Sequence, residues 1–163
     1  MECLLKLQKQ AVRIVTGSDY LAPSLPLFLR LKIIPITFQF KINKLIMVFK
    51  CKHNLAPGYL ANKFVTGVHD VTGRQTRSVS DDKLFLPYHK PTYSKSFEIS
   101  GIKLWNSLPA YLRKYNSVGS FRKSLCDHIF SKLGNFAEIS DMWCSICSIS
   151  QQLDSLFCEH LND

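Results

Sequence analysis

Apolar residues return at helical spacing three times along this chain, with glycine and proline between the runs. Phe38, Ile42, Leu45 and Phe49 fall on one face, and Ile46 adjoins them. Val118, Phe121, Leu125, Ile129 and Leu133 repeat the pattern near the other end. Leu4, Leu7, Ala11 and Val15, with Leu5 and Val12 beside them, form a third set. Steps of three and four residues place side chains above one another on a helix, so each run predicts an amphipathic helix. A chain with three such stripes to bury is expected to be mainly α, a small helical bundle. Hydrophobic residues make up 46% of its 163 positions, enough for one packed core.

The breaks between the runs predict the remaining organisation. Gly17 ends the first helix, which spans about 3–16. Prolines 23, 26 and 35 bracket a short helical stretch around Leu27 to Leu31. Asn54, Pro57 and Gly58 close the helix that carries Phe38 to Phe49. From 65 to 100 no helical period survives, and Gly67, Gly73, Pro87 and Pro91 punctuate an irregular arm of extended pieces or a small hairpin. In "GIKLWNSLPAYLR", Gly101 is expected to free a turn, and Asn106 and Ser107 to cap a helix start. Pro109 suits a first helical turn, and Trp105 with Leu108 anchors the chain's entry. A short helix near 109–115 follows, then Ser117 or Ser120 caps the last run, which Gly134 is expected to stop. The divisions are therefore 1–64, 65–100, 101–134 and 135–163.

Charge divides more sharply than hydropathy. Residues 1–134 hold all 21 basic groups and seven acidic ones, a formal +14, whereas 135–163 hold five acidic groups and no basic one. The net +9 is thus a strongly cationic body joined to an acidic tail. Such a body suits a polyanion, RNA or DNA before a membrane. Candidate backbone contacts are Lys6, Lys9 and Arg13 in the first helix, Lys41, Lys44 and Lys52 in the second long helix, and Arg122 and Lys123 in the last. Solvated charged faces are the plainer alternative for these groups. Phe85, Tyr88, Tyr93 and Phe97 alternate with Lys83, Lys90 and Lys95, a pattern that either stacks bases or lays an arm over a core.

Reactive constellations are missing from the sequence. It has no phosphate-cradling glycine loop and no G-x-S-x-G turn. Asp81 and Asp82 lie in the irregular arm, where surface solvation is expected, so the chain by itself is not expected to be an enzyme. One metal pattern stands in the tail. Cys144 and Cys147 form a C-x-x-C, and Cys158 and His160 complete a set of the donor types that zinc favours. Cys126 and His128 offer another distal pair, and an amphipathic helix with buried thiols is the alternative to zinc. Lys6 interrupts any leader, and the longest apolar run is Leu45 to Phe49. A nuclear or cytoplasmic location with reduced thiols is expected, not secretion or membrane insertion.

Six pieces in order carry a family resemblance: "LQKQAVRIVTG" (Leu7 to Gly17), "PLFLRLKIIPI" (Pro26 to Ile36), "FKCKHNLAPGYL" (Phe49 to Leu60), "TRS" (Thr76 to Ser78), "GIKLWNSLPAYLR" (Gly101 to Arg113) and "SVGSFRKSL" (Ser117 to Leu125). Together they resemble the region after the polymerase domain in LINE-like, jockey-type non-LTR retrotransposon reverse transcriptases, over about residues 4–133. The resemblance implies a thumb-like helical part at 1–64, a C-terminal helical part at 101–134, and a place in a longer polyprotein beside an upstream polymerase domain. It also implies that the catalytic aspartates lie upstream, and that Gly101, Trp105, Asn106, Leu108 and Pro109 are a structural signature. Two functions are expected from these readings. One is non-catalytic grip on a template–primer backbone; the other is a protein-interaction or scaffold module with exposed apolar helix faces.

Overall fold

The computed structural model describes residues 2–64 and 82–139, and among these the fold is mainly α with no strand. Among the described residues there are seven α-helices: α1 (Glu2–Thr16), α2 (Ser24–Arg30), α3 (Ile36–Lys52), α4 (Gly58–Ala61), α5 (Phe97–Asn106), α6 (Ala110–Arg113) and α7 (Val118–Ile139). Between residue 82 and α5 stands a 3-10 turn, Pro91–Tyr93. The arm from 65 to 81, with "TRS" and Asp81 in it, and the whole of 140–163 lie outside the described residues.

Proline starts four of the helices. Pro23, Pro35, Pro57 and Pro109 each hold the N-cap position with φ near −60° and extended ψ. The ring fixes φ before the helix begins, and the carbonyl is left to accept the first intrahelical bonds. Phe38 N–H and Gln39 N–H, for example, both donate to Pro35 O. Pro109 thus stands one position before the first turn, not inside it. Three helices end by one device, a residue in the left-handed region just past the last turn: Gly17 (φ 63°), Lys32 (φ 53°) and Asn54 (φ 55°). At each, the next N–H reaches back into the helix, as Leu55 N–H does to Lys50 O at 2.8 Å.

The core assembles around α3, which touches α1, α4, α5 and α7. Its Phe38, Ile42, Leu45, Val48 and Phe49 are buried, as their spacing predicts. From α7 come Phe121, Leu125, Ile129 and Leu133, and from α5 Ile102 and Trp105. Phe49 and Phe121 stack with ring centroids 4.7 Å apart, and Trp105 lies 5.8 Å from Phe121. Aromatic contact at this range adds about 0.5–1.5 kcal/mol beyond area burial.

Four sequence expectations are corrected here. Gly101 does not free a turn. It sits buried inside α5, where a Cβ would come 2.9 Å from Val48 Cγ2, so its missing side chain lets α5 close on α3. Asn106 does not open a helix but ends α5, and the true start cap is Ser96, whose Oγ accepts from Ile99 N–H. The irregular arm accordingly stops at 96, not 100. Gly134 does not stop α7, which runs to Ile139. Gly134 lacks the positive φ that a glycine stop uses, and glycine inside a helix costs only about 1 kcal/mol relative to alanine.

Candidate nucleic-acid interface and the Trp105 joint

The "LWNSLP" stretch works as a polar and aromatic joint. Trp105 is fully buried, and its indole N–H donates to Asp82 O at 3.0 Å. Asn106 uses its amide in both senses on one arm residue: Leu84 N–H donates to Oδ1 and Nδ2 donates to Leu84 O, each at 2.8 Å. That two-way bond copies what a neighbouring strand would provide, and it seats Leu84 in the core. Arg113 then closes the C-terminal end of α5. Its buried guanidinium donates to Leu108 O at 2.7 Å, Asn106 O at 3.0 Å and Trp105 O at 3.5 Å. A cation suits the negative end of a helix and satisfies carbonyls that the helix leaves open. Leu108 is buried and Pro109 starts α6.

The eight candidate contacts divide when placed on this frame. Lys6, Arg122 and Lys123 reach solvent. Arg13 is tied inward: Nε donates to Ala22 O at 2.9 Å, and the guanidinium lies 5.9 Å from the Tyr20 ring centre. Lys44 donates to Ser100 Oγ at 2.9 Å. Lys52 pairs with Asp82 and lies 5.4 Å over the Trp105 ring. Lys9 and Lys41 are half-buried. Asp82, expected to be a solvated surface group, is therefore part of the joint through both its carboxylate and its carbonyl.

The aromatic–lysine pattern also divides. Phe97 meets Phe64 edge-on at 5.5 Å and packs on the core, whereas Tyr88 and Tyr93 are exposed. Lys90 and Lys95 are exposed beside them. Arg30, Lys32, Lys63, Lys103 and Lys114 are exposed too, and helical periodicity did not single them out. Their common sign was the only signal, since none shares a helical face with the three basic sets.

Titration behaviour follows burial. His53 packs on Phe49 with centroids 4.2 Å apart, and its Nε2 is buried without a hydrogen bond. Burial first, and then the Lys52 charge, lower its pKa, while Asp82 opposes them. Burial raises the pKa of the Cys51 and Cys126 thiols, which disfavours the thiolate at both. Cys144, Cys147, Cys158 and His160 lie outside the described residues. Among those described, no group of three His, Cys, Asp or Glu side chains stands together, and His128 Nδ1 instead meets Tyr111 Oη at 2.7 Å. No described helix is long and apolar enough to cross a membrane. Comparison with family models, curated proteins and solved structures gives no match to this chain.

Proposed function

We propose that this chain is a non-catalytic nucleic-acid-binding module, the C-terminal region or remnant of a retrotransposon RNA-directed DNA polymerase, which grips a template–primer by its backbone. The observation that carries the reading is the +14 of residues 1–134, part of it on side chains that reach solvent from helices (Lys6, Arg30, Lys103 and Arg122) and from the turns that follow them (Lys63 and Lys114). The order of the six sequence pieces supplies the family, and the fold suits a helical grip. Lys44, Lys52 and Arg13 serve this role indirectly, by holding the frame.

Phosphate contacts release counterions, so log affinity should fall linearly with log salt, with a slope of about −0.9 per phosphate neutralised on a duplex. Binding to DNA duplex and RNA–DNA hybrid across a salt series tests this. The expected result is a steep slope with little sequence preference, made shallower by Arg122→Glu with Lys123→Glu. A flat response, or no binding at low salt, rules the reading out.

A second reading, a protein-interaction module, is favoured by the exposed apolar side chains of α1. It predicts association that charge reversal at Arg122 and Lys123 leaves unchanged.

A further inference from the structure

The stripe that periodicity singles out on α1 points away from the core. Leu4 is 52% exposed, Leu7 61%, Ile14 80% and Val15 72%. At about 100° per residue these four and Ala11 fall within an arc of about 100°. The inward face is another one. Val12 is buried there, and Gln8 clamps the start of α3, with Nε2 donating to Ile34 O at 3.2 Å and Oε1 accepting from Ile36 N–H at 2.8 Å. Tyr20 and Leu21, just past the helix, are also more than two-thirds exposed. A contiguous apolar strip of this kind is unusual on an independent surface and marks a docking face.

One segment of the chain fits that face in chemistry, charge and reach. Residues 140–163 contain Asp141, Asp154, Glu159 and Asp163 and no basic group, against the cationic body that begins at Lys6. Trp143, Ile146, Leu153 and Phe157 recur at i, i+3, i+10 and i+14, the spacing of one helical face. As a helix this 24-residue tail is about 36 Å long, at roughly 1.5 Å per residue. A compact body of this size has a radius of gyration of only about 14 Å, and α1 is 15 residues long, so a helical tail has the length to lie along it.

We propose that residues 140–163 dock in cis on the outward stripe of α1. Trp143, Ile146, Leu153 and Phe157 cover Leu4, Leu7, Ile14 and Val15, and the tail carboxylates lie beside Lys6. This does not depend on the polyanion reading. The natural reporter is Trp143, because Trp105 is buried and its signal is removed by subtracting the spectrum of a Trp143→Phe chain.

In the full chain, the Trp143 emission should be blue-shifted and several-fold less quenched by acrylamide than in a free peptide of residues 140–163. Leu7→Asp with Val15→Asp should restore the peptide's quenching. Quenching in the full chain equal to the peptide's, or unmoved by the double substitution, overturns the proposal. Carbodiimide coupling of the unaltered chain gives an independent reading if that variant fails to fold. Lys6 should couple to Asp154 or Glu159 with a yield that dilution does not change. Absence of any coupling to the tail, or a yield that falls on dilution and so places a second copy on the stripe, also overturns it.

Discussion

Val48 and Gly101 meet across the α3–α5 contact with no space to spare. Gly101→Ala gains helix propensity of about 1 kcal/mol. It also forces a methyl against a buried, β-branched neighbour that has few alternative rotamers. Overpacking of this kind costs about 1–3 kcal/mol, so the clash wins and the variant should unfold at lower denaturant than the parent. Equal or greater stability would mean that α5 shifts freely. His53 offers a second residue-scale test. Its folded-state pKa is lowered, so the folded chain holds fewer protons than the unfolded one as pH falls through the unfolded value of about 6.5. Stability from this group is therefore complete above that value and declines below it. His53→Phe keeps a ring on Phe49 and removes the proton, so its stability profile should be flatter between pH 5 and 7 than the parent's. Matching slopes would assign the acid sensitivity to other groups. Gly101 also shows what spacing hides: a glycine reads as a turn in sequence, and only the partner helix reveals that it is a contact.

At the scale of elements, α3 and α7 were legible because their stripes repeat for three turns or more, and every residue named on them is buried or half-buried. The stripe of α1 was equally regular yet faces outward, because Val12 and the Gln8 clamp, not the most periodic face, decide how it seats. Asp82 and Arg113 were invisible for a related reason. Arg113 donates to backbone carbonyls, and Asp82 takes the Trp105 indole on its own carbonyl and Lys52 on its carboxylate; carbonyls carry no sequence signal. Helix ends give a direct prediction. Lys32 holds a left-handed backbone at the end of α2, a conformation costing a side-chain-bearing residue roughly 1 kcal/mol. Lys32→Gly should stabilise the chain by up to about 1 kcal/mol in chemical denaturation, and a loss of stability would show that the lysine side chain contributes more than its strain costs.

At the scale of the molecule, the divisions drawn at 64 and 100 do not separate cores, since α3 from one side and α5 and α7 from the other bury a common cluster. Far-UV and near-UV circular dichroism should therefore report a single coincident melt for the described body. Two separated transitions would mean that α1–α4 hold together without α5–α7.

The central place of α3 carries a consequence for biosynthesis. About 80 residues must still be translated after Lys52 before Leu133 exists to cover its apolar side. At roughly 5–20 residues per second, that leaves α3 without its permanent neighbours for several seconds on the ribosome. The nascent protein's dependence on chaperones should peak in that interval.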